Sequence, residues 1–183
     1  MGLELAKEAY IRGADLTLVA ANVSVEIPSL FDVIYVETSR QMHDAIVNII
    51  SDYDIFISAA AVSDFSFKMQ SDKKIDSSNS ISLNLEPTAK IIGQVKKINP
   101  NIFLVGFKAG FNISKEDIIN RAKNQIKDSG TDLVVANDIS NEDCHFGSDK
   151  NKVFIVCDEV ITVPLSSKRE VAKRIFDVIT KKI

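Results

Sequence analysis

Hydrophobic positions change period along the chain, and the changes mark out alternating helices and strands. Leu5, Ala6, Ala9 and Tyr10 stand at helical spacing, and that segment closes at Gly13. Two runs rich in β-branched and aromatic residues follow, "DLTLVA" (15–20) and "VIYVET" (33–38), and both predict strands. Met42, Ala45, Ile46, Ile49 and Ile50 recur at i, i+3, i+4, i+7 and i+8, one face of a helix. "DIFISAA" (54–60) predicts a strand in which Ile55 and Ile57 are buried between parallel neighbours. Residues 66–80, "SFKMQSDKKIDSSNS", are polar and carry no clear period.

The second half continues in the same way. "ISLNLE" (81–86) alternates like a strand with one wet face, and Pro87 and Thr88 then open a helix carrying Ile91, Val95 and Ile98. "IFLVGFKA" (102–109) predicts a strand. Ser114 with Asp117 predicts a capped helix start, followed by Ile118, Ala122 and Ile126 on one face. "DLVVAND" (132–138) is a short apolar strand with a polar end. "KVFIVCD" (152–158) and "VITVPL" (160–165) predict a hairpin. Ser167 and Glu170 cap a last helix facing inward through Val171, Ile175, Val178 and Ile179. Alternating strands and helices imply an α/β fold, a mostly parallel central sheet covered on both faces, ending in a β-hairpin. No repeat or linker divides the chain, so residues 1–183 form a single domain. A doubly wound fold ordinarily begins with a strand and a glycine-rich turn. This sequence begins with the helix, so the expectation is a domain truncated at its N-terminus.

Composition narrows the function only modestly. The 183 residues are 45% hydrophobic and 26% charged, ordinary for a globular protein. A net charge of -3 argues against nucleic-acid or anionic-membrane partners, and no apolar run approaches the ~20 residues of a membrane span. The first residues carry acids where a signal peptide has an apolar centre. Cys144 and Cys157 show no CxxC spacing. The expectation is a reduced, cytoplasmic protein.

Ligands of open α/β sheets bind beyond the carboxyl ends of the strands, so chemistry is sought there. Ala59, Ala60 and Ala61 narrow one strand end just before Asp64. Small side chains there admit a planar or phosphorylated ligand, and the carboxylate can accept a hydrogen bond or help hold a metal ion. The competing reading is a helix packed on the alanines with Asp64 as a turn cap. At a second strand end, Gly106 permits close backbone approach, and Phe107 either stacks on a base or fills the core. Ala136-Asn137-Asp138 is a third, weaker signal, since Asn and Asp often start turns. Lys73 and Lys74 in the polar stretch, with Lys123 and Lys127 four residues apart on a helix, supply cations for a triphosphate; each alone reads equally as a solvated surface lysine. His43 and His145 are the only histidines, and Asp143-Cys144-His145 lacks a second half with zinc-ligand spacing. No Walker A or GxSxG sequence is present.

The order AAAVSDF, a lysine-isoleucine pair after a polar stretch, PTAKI, VGFKA, AxK with a second lysine four residues on, DLVVAND and FGSDKNKV resembles the phosphopantothenoylcysteine synthetases. The resemblance runs nearly the whole length, and FKAGFN is closer to archaeal members. It implies a Rossmann-like three-layer sandwich, typically a homodimer. The reaction it implies is ligation of 4′-phosphopantothenate to L-cysteine in coenzyme A synthesis. CTP with Mg2+ would activate the carboxylate as an acyl-cytidylate. On this resemblance Ala60 belongs to the nucleotide-pocket floor and Asp64 contacts the nucleotide. Lys74 is the catalytic lysine of a flap that also binds nucleotide. Pro87, Thr88, Ala89 and Lys90 form a backbone turn at the nucleotide, Phe107 is its aromatic contact, and Lys123 and Lys127 bind it. Met1-Gly2 matches the end of the family's N-x-S-x-G-x-M-G segment. Its G-F-x-x-E-T is replaced here by Gly106-Phe107-Lys108-Ala109-Gly110-Phe111, without the acid. A flavin-dependent decarboxylase, often fused upstream, is an expected domain or partner.

Two other classes compete. A nicotinamide-dependent short-chain reductase would carry Tyr-x-x-x-Lys, but Tyr10, Tyr35 and Tyr53 are followed four residues later by Ala14, Ser39 and Ile57. A non-catalytic nucleotide-binding or oligomerisation module is the other.

Overall fold

The computed structural model describes residues 1–68, 74, 76, 78, 80–140, 144 and 147–183. Chain order is α1 (Gly2–Ile11), β1 (Thr17–Ala20), β2 (Asp32–Tyr35), α2 (Ser39–Ile49), β3 (Ile55–Ser58), β4 (Phe65–Phe67), β5 (Leu85–Pro87), α3 (Ile92–Ile98), β6 (Phe103–Gly110), α4 (Lys115–Ser129), β7 (Leu133–Asp138), β8 (Lys150–Val156), β9 (Val160–Ser167) and α5 (Lys168–Ile179). Local chemistry sets the helix ends. Thr38 and Gln41 form a reciprocal capping box on α2. Ser114 and Ser167 cap α4 and α5 by accepting the backbone N–H of Asp117 and Glu170. Gly130 ends α4 at φ 65°, a conformation that favours glycine.

The central sheet has the order β3-β6-β7-β8-β9. β3, β6 and β7 run parallel, and β8 and β9 return as the antiparallel hairpin the sequence predicts. β1 and β2 form a separate parallel pair. Helices cover both faces, which makes the three layers. On one face Leu5 of α1 and Val171, Ile175 and Ile179 of α5 pack on Val105, Leu133, Val135, Val153 and Ile155. On the other, α2 and α3 enclose Val19, Ile34, Phe56 and Leu104, while Ile118 and Ala122 of α4 cover Val134, Ala136 and Phe154. Arg12 ties α1 to α5. It donates to Asp177 at 2.6 Å and to Glu8 at 2.7 Å, with its guanidinium 5.7 Å from the centre of the Phe176 ring.

Four expectations need correction. Ile55 and Ile57 are half-buried, because β3 is the end strand of the five and pairs only with β6. Only Leu85–Pro87 of the predicted strand 81–86 is a strand; it is exposed throughout and pairs antiparallel with β4, which the pattern did not indicate. Its alternation is real, but no core lies behind it. Helix α3 begins at Ile92 and not at Pro87 or Thr88. Thr88 donates its hydroxyl to Ser63 O at 2.6 Å and its N–H to Asp64 O at 2.9 Å, which holds residues 87–90 away from helical geometry. Fourth, β1 and β2 stand apart from the main sheet.

Candidate nucleotide site

The carboxyl ends of β3, β6 and β7 open into one cavity of about 580 Å3. Ala59, Ala60 and Ala61 form part of its wall. Ala59 packs against the α1–α5 core, whereas Ala60 and Ala61 are exposed to the cavity. Asp64 stands at the rim, where Lys90 Nζ lies 3.3 Å from its Oδ1. Thr88, Ala89 and Lys90 line the same cavity, brought in by the Thr88 bonds to Ser63 and Asp64. Phe107 lines it from β6 and also packs on the α1–α5 core.

Thus Ala60, Asp64, Thr88, Ala89, Lys90 and Phe107 come together, from segments far apart in sequence. Pro87 is the last residue of β5 and does not line the cavity. Lys74 is exposed and lies outside the lining, as do the exposed Lys123 and Lys127 on α4. Lys73, Asp143 and His145 fall outside the described residues. Asn137 and Asp138 divide their roles. Asn137 lines the cavity. Asp138 caps a turn, accepting the N–H of Asn112 and of Ser140 at 3.0 Å and the Ser140 hydroxyl at 2.8 Å. Burial pushes the Asp138 carboxyl up, but these hydrogen bonds outweigh it and hold the group below its ordinary value.

Several lining residues carry little sequence signal. Gln125 of α4 reaches the cavity beside Gly106. A Cβ on Gly106 would stand 2.1 Å from Gln125 Nε2 and 3.1 Å from Ile92 Cδ1. The glycine therefore makes room for these side chains, not for a ligand at that point. Asn151 at the start of β8, Lys108 and Lys168 also line the cavity. Lys152 N–H donates to Asn151 Oδ1 at 2.9 Å, which fixes that amide, and Asn137 Nδ2 donates to the same oxygen at 3.3 Å. The other amide atoms, Asn137 Oδ1 and Asn151 Nδ2, have no partner among the described residues. Thr131 Oγ1 alone among those residues is a buried side-chain polar atom cut off from both partner and solvent, so the two free amide atoms reach the cavity. The site is therefore polar at one end, with Asn137, Asn151 and Lys168, and small and apolar at the alanine end.

The profile of the DNA/pantothenate metabolism flavoprotein C-terminal domain matches residues 1–183. The chain belongs to this family, that of the phosphopantothenoylcysteine synthetases. Coenzyme A biosynthesis bifunctional protein CoaBC of Thermococcus kodakarensis is 44% identical over 185 residues, covering 99% of this chain and 44% of that protein. The protein of the same name from Methanocaldococcus jannaschii is 29% identical, covering 99% of this chain and 44% of its own length. The synthetase-type domain thus spans under half the length of these relatives. A crystal structure of the DNA/pantothenate metabolism flavoprotein from Streptococcus pneumoniae superposes with a TM-score of 0.83 at 21% identity, covering 98% of this chain and 86% of that one. Cab2 mutant H337A in complex with phosphopantothenate-cysteine superposes at 0.77 and 15% identity, covering 98% and 77%. These two likenesses establish the fold. Among the described residues no helix is long and apolar enough to cross a membrane.

Proposed function

We propose that this domain is a phosphopantothenate–cysteine ligase of coenzyme A synthesis that uses CTP. The observation that carries the reading is the single strand-end cavity gathering Ala60, Asp64, Thr88, Ala89, Lys90 and Phe107, in a chain whose family is that of the synthetases. In the first step a carboxylate oxygen of 4′-phosphopantothenate attacks the α-phosphorus of CTP. A P–O bond breaks, pyrophosphate leaves and an acyl-cytidylate forms. In the second step the cysteine amine attacks the acyl carbon, loses a proton, and CMP departs with the bonding pair.

The residues present suit this chemistry. A wall of alanine methyls lets the nucleotide lie close to the backbone of residues 59–61. Phe107 offers its ring to the same space. Asp64 at the rim suits Mg2+, which is commonly held by one or two carboxylates together with substrate phosphates. Among the described residues no three or more His, Cys, Asp or Glu gather to hold a metal by themselves. Lys90, Lys108 and Lys168 line the cavity and offset phosphate charge. Lys74, Lys123 and Lys127 stand outside it and serve the triphosphate tail and the leaving pyrophosphate. The cytoplasm, a homodimer and an upstream flavin-dependent decarboxylase complete the reading.

The test is single-turnover pyrophosphate release with CTP and 4′-phosphopantothenate, cysteine omitted, in the protein with its natural flanking sequence. Release that requires phosphopantothenate, followed by CMP formation on adding cysteine, supports the ligase. Tight CTP binding with no release would leave a nucleotide-binding module in its place.

A further inference from the structure

A second cavity, of about 260 Å3, opens where α1 meets the connection between β1 and β2 and the first turn of α5. It shares no lining residue with the nucleotide cavity. Its apolar walls are Tyr10, Ile11, Pro28, Leu30 and Phe31. Phe31 is 7% exposed and backs the Tyr10 ring at 5.7 Å between centroids, whereas Tyr10, Ile11 and Leu30 stay 51%, 67% and 57% exposed. The outward face of a surface helix is ordinarily polar. An apolar patch rimmed by polar groups, as here, is a common mark of a ligand-binding groove.

Four charged side chains complete the lining, Glu4, Lys7 and Glu8 from α1 and Arg169 from α5. The carboxylates are drawn inward: the Glu8 side chain is 11% exposed and that of Glu4 25%. Each is held at Oε1 by one cation, Glu4 by Lys7 Nζ at 2.7 Å and Glu8 by Arg12 Nε at 2.7 Å. An ionised carboxylate has about four acceptor positions, so both keep capacity for a further donor. Arg169 has no ion-pair partner among the described residues, and a guanidinium takes a carboxylate through two parallel hydrogen bonds. The two acids and two bases of the lining cancel. A ligand of net charge therefore meets as much repulsion as attraction. A ligand carrying both signs finds a partner for each.

We propose that this cavity binds a free α-amino acid with an apolar side chain. The ammonium group, with three donors, meets Glu4 and Glu8, and the carboxylate meets Arg169. The side chain lies on Tyr10, Leu30 and Phe31. The volume falls just below the ~300–1,000 Å3 of sites for drug-sized ligands, which suits a single amino acid and not a nucleotide. The site does not rest on the ligase reading. It is nevertheless close to the nucleotide cavity, because α1 and α5 border both, through Met1, Gly2 and Lys168 on one side and Glu4 and Arg169 on the other.

An amide-resolved NMR titration with L-leucine and L-phenylalanine tests it, beside N-acetyl-L-phenylalanine and L-phenylalanine amide, which each lack one of the two charges. At least one of the free amino acids should give saturable shifts confined to the α1 face, residues 28–31 and the start of α5. The two blocked forms should bind about tenfold more weakly or worse, each having lost a charge-assisted pairing. Arg169→Ala and Glu4→Gln should each weaken the free amino acid about tenfold. Lys173→Ala, one turn further along α5 and outside the lining, should bind like the wild type. The urea midpoint of Arg169→Ala should stay at the wild-type value, since Arg169 is exposed. Saturation by neither amino acid at these residues would remove the site. Equal affinity for the blocked forms, or equal binding by Arg169→Ala and Lys173→Ala, would leave an apolar groove and overturn the amino-acid reading.

Discussion

Asp64 Oδ1 and Lys90 Nζ stand 3.3 Å apart at the rim of the cavity, with side chains 70% and 76% exposed. A pair so open to water contributes about 0–1 kcal/mol to folding. Its position, not its strength, is what matters. Asp64→Asn should therefore shift the urea midpoint hardly at all while weakening magnesium–CTP binding by about tenfold. Isothermal calorimetry with and without Mg2+ checks this. Equal affinity in wild type and variant would leave Asp64 as a partner of Lys90 alone.

Phe107 serves the core and the cavity together. Phe107→Ala should cost less than the ~3–5 kcal/mol of a fully buried phenylalanine, because part of the ring already faces open space. It should also lower CTP affinity. Phe107→Leu keeps most of the packing and removes the flat ring. A leucine variant with wild-type affinity would show that the ring is core only.

Lys74 carries the catalytic role in the proposed reaction although it stands outside the lining. In that proposal its ammonium offsets charge that grows on the leaving pyrophosphate, so it should act more on the transition state than on bound CTP. Lys74→Gln should slow cysteine-free pyrophosphate release about 100-fold or more with only a small change in CTP affinity. Wild-type release would assign Lys74 to the solvated surface.

His43 joins α2 to α3. Its Nε2 lies 3.0 Å from Gln94 Oε1 and its Nδ1 3.0 Å from Asp44 Oδ1. The hydrogen bond to Asp44, then that to Gln94, raises the imidazole above its usual value of about 6.5. A raised folded-state value favours the protonated form, so this contribution is complete below about pH 6.5 and is lost as pH rises through the folded value. An NMR titration of the His43 ring should give a midpoint above that of a free histidine. Gln94→Ala should move it down. A midpoint at or below 6.5 would mean that the two acceptors do not hold the proton.

The helices were legible because each declares itself locally. The periods of α2, α4 and α5 and the caps at Ser114 and Ser167 appear where the sequence puts them. The hairpin of β8 and β9 was legible for the same reason. What escaped the sequence depends on partners far away in the chain. The Thr88 bonds to Ser63 and Asp64 delay α3, and no local pattern announces them. β4 has three residues and no core behind it, so its two phenylalanines gave no usable period. In the site, the alanines, Asp64 and Phe107 were found as breaks in an otherwise apolar strand. Gln125 was missed because one amide on an amphipathic helix looks like any solvated residue. The signal that pointed to it was Gly106, a gap in a branched strand that another side chain fills.

Along β7 the α1–α5 face reads Leu133, Val135, Asn137, and the apolar column stops at the cavity. Leucine at both 137 and 151 would extend that column, because replacing a buried polar pair by apolar groups of similar shape is often neutral or stabilising. The amides there keep a hydrogen-bonded polar pair at the cavity wall instead. The position is one at which fitness for ligand and fitness for folding pull in opposite directions. A population selected only for heat resistance would drift toward leucine or valine at both positions and seal that end of the cavity. One selected for turnover would keep the amides and accept a softer sheet end.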